Sequence, residues 1–68
     1  MKTFIRYLRQ EMGISQKDFA DQVGVSRQTI SALENGRYNP SLLLAYKITK
    51  LLKCDYIEEV FKLSDEDL

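Results

Sequence analysis

Apolar residues recur along this chain at spacings of three and four, with polar residues filling the opposite faces, and that period predicts helices. Phe4, Ile5, Leu8 and Met12 define a first helix over about residues 3–12, with Gly13 placed where a left-handed cap would end it. Ser15 offers an N-cap for a second helix, Gln16 to Val23, and Asp18 supplies an acid near its positive end. Phe19, Ala20 and Val23 share one arc of this helix, while Lys17, Asp18, Asp21 and Gln22 point away. Ser26 caps a third helix from Arg27 to about Asn35, closed by Gly36. There Ile30 and Leu33 share an arc and face inward.

Pro40, tolerated in a first helical turn, leads into a fourth helix through SLLLAYKITKLLK, with Leu42, Ala45, Ile48, Leu51 and Leu52 at core-like spacing. Asp55 and Glu58 mark the start of a short fifth helix, Tyr56 to about Lys62. Phe61-Lys62-Leu63 alternates for too few residues to establish a strand. The pattern therefore predicts an all-α, five-helix domain over residues 1–63, followed by an acidic tail over 64–68 that is expected to fray.

Composition narrows the chemistry. At 68 residues the chain holds one small core, and Cys54 without any His provides neither a disulfide nor a metal cage. No imidazole stands ready to activate a nucleophile, so an enzyme is not expected, nor a cofactor or small-molecule ligand. The longest apolar run, Leu42 to Tyr46, is far short of a membrane span, and the lone Cys with an early charged segment suits a cytoplasmic setting. The net charge is zero, yet it is unevenly spread: residues 1–53 carry nine bases and four acids (+5), and residues 54–68 carry Lys62 against six acids (−5). This split suits a solubilising tail first, and is compatible with a DNA-facing surface that has repulsive charge kept away from it.

The second and third helices carry the most specific signal. Ala20 permits close helix approach, Gly24 permits the positive φ of a tight reversal, and Val25 can plug the corner. That is the requirement of a helix-turn-helix, whose second helix presents its N-terminal half to the major groove. Arg27 matches the paired acceptors of guanine, and Gln28 matches the donor and acceptor of adenine. Ser31 lies one turn further along the same side, Ala32 offers apolar contact to a thymine methyl, and Thr29 at the flank suits a phosphate contact or a local cap.

The order Gln16, Ala20, Gly24, Ser26-Arg27-Gln28, Glu34-Asn35-Gly36 and Asn39-Pro40-Ser41 resembles the Cro/C1-type (XRE) transcriptional regulators over about residues 3–61. The resemblance implies the compact lambda-repressor-like DNA-binding fold and a short, stand-alone member without a sensor domain. It implies base contacts from Arg27, Gln28, Ser31 and Ala32, and phosphate contacts from Gln16, Asn35 and the loop Arg37, Tyr38 and Asn39. Lys17, with Ser26 and Thr29 at the third helix's start, joins this phosphate-contacting set. The resemblance further implies an ion pair between Arg9 and Glu34. Some phage relatives carry a long polar side chain where this chain has Ala32, so the base at that step is read differently or not at all.

One such helix reads only a few base pairs, which calls for two copies on a palindromic operator. Leu44, Tyr56, Ile57, Phe61 and Leu63 are candidates for a homodimer surface; core filling is an equal claim on Ile57, Val60 and Phe61. The resulting expectation is a repressor binding double-stranded DNA as a homodimer. The rival is an antitoxin-like or adaptor module that holds a partner protein, with DNA binding secondary or lost.

Overall fold

The computed structural model describes residues 1–68 and contains four α-helices, not five, together with a two-stranded sheet. In chain order the elements are β1 (Lys2–Thr3), α1 (Ile5–Glu11), α2 (Gln16–Val23), α3 (Arg27–Glu34), α4 (Leu42–Leu51), a 3-10 turn (Ile57–Glu59), β2 (Phe61–Lys62) and a second 3-10 turn (Asp65–Asp67).

Three serines start three helices by the same device. The Oγ atoms of Ser15, Ser26 and Ser41 accept the backbone N–H of Asp18, Thr29 and Leu44 at 3.0, 3.1 and 3.1 Å. These bonds satisfy donors that the first turn of a helix leaves without partners. Ser41 rather than Pro40 thus sets the start of α4, and the proline lies outside it. Helix α2 ends at Gly24, whose φ of 89° is left-handed, with its N–H bonded to the Ala20 carbonyl at 2.8 Å. Helix α4 ends sooner than its apolar pattern predicts, because Lys53 takes a φ of 60° after the Leu52 cap.

The expected fifth helix is replaced by the 3-10 turn and β2. The Glu59 carboxylate, rather than that of Glu58, closes the turn by accepting from the N–H groups of Asp55 and Tyr56 at 2.8 and 2.9 Å. Strand β2 then pairs antiparallel with β1, Lys2 opposite Lys62 and Thr3 opposite Phe61, and Phe4 donates to the Val60 carbonyl at 2.9 Å. Local periodicity favours a helix at both places, and pairing between opposite ends of the chain overrides it. Thr3 therefore belongs to a strand. Phe4, one of the apolar residues that predicted a helix here, lies at the surface beneath the ammonium groups of Lys2 and Lys62, 6.0 and 5.5 Å from its ring centre. At that range the ring face attracts both cations.

The core gathers one face from every helix: Ile5, Phe19, Val23, Ile30, Leu33, Ile48 and Leu52, closed by Val60 and Phe61. Ala20 is buried where α2 meets α3, and Val25 packs against the same cluster from the corner. Two polar residues are also buried, and each is hydrogen-bonded, as burial requires. Thr49 donates its hydroxyl to the Ala45 carbonyl at 2.8 Å, and Arg9 is bonded as described below. Leu42, expected in the core, is 78% exposed, because α4 turns its Ala45, Ile48 and Thr49 face inward.

The acidic end also differs from a fraying tail. Residues 65–67 form a turn in which Asp67 accepts from the Ser64 N–H at 2.9 Å and pairs with the Met1 ammonium at 2.9 Å. Met1 in turn packs beneath Gly36, where an added β-carbon would collide with the Met1 carbonyl oxygen and where the φ of 70° itself favours glycine. The N-terminal strand is thus fitted against the C-terminal end of α3.

Candidate nucleic-acid interface

The inward anchors of α3 are Ile30 and Leu33, both wholly buried, so its opposite side must face solvent. Arg27 and Gln28 are exposed at the start of that side, with Ser31 and Ala32 half-buried behind them. These four are therefore brought together on one face. Thr29 is half-buried at the flank, and its hydroxyl lies 3.0 Å from Ser26 Oγ, which also accepts the Thr29 N–H. Ser26 and Thr29 accordingly hold the first turn of the helix while remaining beside its exposed end.

Beneath this face lies a buried ionic cluster. The Glu34 side chain is fully enclosed, and Arg9 approaches it from α1 with Nε donating to Oε2 at 2.8 Å and Nη2 to Oε1 at 3.4 Å. Arg9 Nη1 donates to the Ile14 carbonyl at 2.8 Å, which ties the α1–α2 loop to the same group. Arg6 Nε reaches Glu34 Oε1 at 3.4 Å from the surface, and Gln16 Nε2 donates to that oxygen at 3.0 Å. Burial pushes the Glu34 carboxyl upward, but the Arg9 and Gln16 hydrogen bonds, aided by the Arg9 charge and by Arg6, outweigh it and hold the group below its ordinary 4.5. Every buried side-chain polar atom in the protein has a partner.

The outer ring of expected phosphate contacts divides in two. Arg37, Tyr38 and Asn39 form an exposed loop after α3, anchored by the Arg37 N–H on the Ala32 carbonyl at 2.9 Å. Asn35 is exposed but folds its amide nitrogen back onto the Ser31 carbonyl at 2.8 Å. Lys17, by contrast, is engaged one helical turn along its own helix, 3.2 Å from Asp21. Gln16 is half-buried and faces both ways: its amide nitrogen meets Glu34, and its oxygen lies 3.4 Å from Arg27 Nε.

Sequence reasoning missed the contacts of two cations. Arg6 stands one turn before Arg9 on α1, a spacing that would have placed it beside Glu34. Lys47 brings its ammonium near Gly24, 3.7 Å from the position of an added β-carbon. It thereby places a positive charge at the negative end of α2. Nothing in the local pattern of α4 marks that contact.

The candidate pairing surface needs correction. Phe61 is a core residue, only 6% exposed, and Leu44 and Ile57 are half-buried against the core. Tyr56 and Leu63 are exposed as expected for such a surface, but the other large exposed apolar groups nearby are Leu42, Leu43 and Tyr46. A groove of about 380 Å³ is lined by Leu42, Ala45, Ile57, Phe61 and Leu63, together with Met1, Asn39, Pro40 and Asp67. Core filling claims the residues next to β2, and the unsatisfied apolar surface shifts to the start of α4. No helix is long and apolar enough to cross a membrane.

A family model described as helix-turn-helix matches residues 5–58. An uncharacterized HTH-type transcriptional regulator from Methanothermobacter thermautotrophicus is 54% identical over 67 residues, 98% of this chain and 96% of that protein. YgzD of Bacillus subtilis, described in the same words, is 46% identical over 67 residues, 98% of this chain and 100% of that one. Among solved structures, the restriction-modification controller protein C.AhdI from Aeromonas hydrophila is 32% identical with a TM-score of 0.74, covering 84% of this chain and 85% of that chain.

Proposed function

The chain belongs to the helix-turn-helix family of XRE type, and from that premise we propose that it is a transcriptional regulator that reads double-stranded DNA through α3 and acts as a homodimeric repressor on a palindromic operator. The observation that carries the reading is the exposed Arg27-Gln28 start of α3, backed by a fully satisfied ionic cluster and free of apolar anchors. A rigid helix with donors and acceptors outward suits base edges; a protein-binding helix would show aromatic or aliphatic groups there.

Arg37, Tyr38, Asn39 and the exposed Asn35 flank that helix and would position it on the backbone, as would the α2 start at Gln16. Repression follows from occupancy of promoter DNA, which a bound domain achieves by exclusion alone. Leu42, Leu43 and Leu63 are exposed outside α3 and offer apolar surface for a second copy, which would double the bases read. Selection from randomised duplex tests the whole reading: enrichment of an inverted repeat supports it, and a pool with no enriched sequence overturns it in favour of a protein-holding role.

A further inference from the structure

Asn35 is followed by Gly36, and without a β-carbon nothing on the glycine shields its main-chain nitrogen from the asparagine side chain. Asparagine is a thermolabile residue, and this juxtaposition is where its lability is greatest. The glycine is not free to change: its φ is 70°, and a β-carbon would collide with the Met1 carbonyl oxygen. The chain's other asparagine, Asn39, precedes Pro40, whose nitrogen carries no hydrogen and cannot react in the same way. Asn35 is exposed at the C-terminal cap of α3, and its reacting groups are held apart there. The Gly36 N–H donates to the Leu33 carbonyl at 3.1 Å, so its proton is engaged. The Asn35 side chain is committed elsewhere, its Nδ2 donating to the Ser31 carbonyl at 2.8 Å. The Asn35 ψ of 5° also turns the Gly36 nitrogen away from Cβ, whereas closing a five-membered ring needs the two on the same side of the Cα–C bond.

We propose that Asn35 is a modification site, kept unreactive by the last turn of α3 and converted to aspartate or isoaspartate when that turn opens. The Gly36 nitrogen gives up its proton and bonds to Asn35 Cγ; the Cγ–Nδ2 bond breaks, and ammonia departs carrying that proton. Water then adds to one carbonyl of the cyclic imide and breaks its bond to the Gly36 nitrogen, which regains a hydrogen. Opening at Cγ gives aspartate, and opening at the main-chain carbonyl gives isoaspartate. Helix ends open locally, so the rate in the folded protein is set by how often residues 33–37 come apart. The product lacks the amide donor for the Ser31 carbonyl and brings negative charge to the negative end of α3, so the closed turn is not regained. Where α3 reads DNA, the same charge stands beside the groups that meet phosphate and weakens binding. That consequence rests on the DNA reading; the ring closure does not.

The full chain is aged in mildly alkaline buffer with and without denaturing urea, and tryptic peptide 28–37 is separated into amide, aspartate and isoaspartate forms by chromatography with mass spectrometry. Conversion is expected in both, about tenfold slower in the folded protein, with Asn39 unchanged. Asn35→Gln, which would have to close a larger ring, should leave the peptide unmodified. An unconverted peptide in urea, or equal rates with and without urea, overturns the proposal. Ion exchange isolates the converted protein by its extra negative charge, and that fraction should bind random duplex about threefold more weakly than the unconverted one. Equal binding by the two fractions overturns the effect on DNA. Absence of binding by the unconverted fraction overturns the reading of α3 instead, and the conversion rates still decide the site.

Discussion

Arg9 and Glu34, distant in sequence, meet at 2.8 Å inside the protein, and their contact joins α1 to the end of α3. Removing one partner leaves the other buried without its counter-charge, which is far more costly than an intact pair is stabilising. Arg9→Ala is expected to lower stability by about 3 kcal/mol, the lower end of the usual range. The loss stays at that end because Gln16 and Arg6 remain on Glu34. Replacing both residues, Arg9→Met with Glu34→Leu, should recover most of that loss. Urea denaturation of the three proteins measures both effects; a double variant no more stable than Arg9→Ala would show that the pair does not act as a unit.

Acid is expected to weaken the fold through the same carboxylate. Its pKa is held below the ordinary 4.5 in the folded chain, so the unfolded chain binds protons first and Glu34 contributes its full stabilisation above about pH 4.5. That contribution falls away as pH drops through the lower folded value. Backbone N–H groups of Tyr56 and Asp55 hold Glu59 down, and the Ser64 N–H does so for Asp67, but both carboxylates are exposed. Chemical denaturation from neutral to acid pH should therefore show a decline, beginning below the ordinary carboxylate value, that is shallower in Glu34→Gln. A parallel decline in the two proteins would assign the acid sensitivity elsewhere.

Arg27→Ala should weaken binding to a selected duplex by about 1–3 kcal/mol while leaving random duplex nearly unaffected. Arg37→Ala, in the loop after α3, should weaken both alike and flatten the salt dependence. Fluorescence anisotropy over a salt series distinguishes them, and equal losses for Arg27→Ala on the two DNAs would make it a phosphate contact.

Pairing through the α4 side is expected to respond to charge placed on its exposed leucines. Leu42 and Leu63 are both largely exposed, and both line the groove. Leu42→Glu and Leu63→Glu should therefore dissociate a dimer without unfolding the monomer. Sedimentation across a concentration range reads the shift in mass. The same dimer constant for wild type and both variants would place the contact on another surface.

Lys53 occupies the left-handed region with a φ of 60°. That conformation costs a side chain with a β-carbon about 1 kcal/mol. Lys53→Gly is expected to raise stability by roughly 0.5 kcal/mol after the added freedom of the unfolded chain is counted. A thermal melt gives the sign; a lower midpoint would mean that the lysine side chain contributes more than its backbone strain removes.

The helix-turn-helix was legible because its determinants are local: Ser15 and Ser26 cap, Gly24 turns, Ala20 is small, and Ile30 with Leu33 dictates which side of α3 faces out. The ends of the chain were not. Thr3 and Phe61 look helical within their own windows and become strands only by meeting each other, and Leu42 is exposed because α4 buries Ala45, Ile48 and Thr49 against a core that Val60 and Phe61 close from the far end of the chain. At the interface, the outward residues followed from periodicity, whereas the Gln16–Arg27 contact and the approach of Lys47 to Gly24 depend on helix crossings that no single segment encodes.

The β1–β2 clasp also sets an order for biosynthesis. The Phe4 amide takes its partner from Val60 and Thr3 is paired with Phe61, so one side of the clasp leaves the ribosome long before the other and until then has only water to bond its backbone. The three central helices can assemble earlier, but the nascent chain completes its hydrophobic interior only once Val60 and Phe61 have emerged from the ribosome.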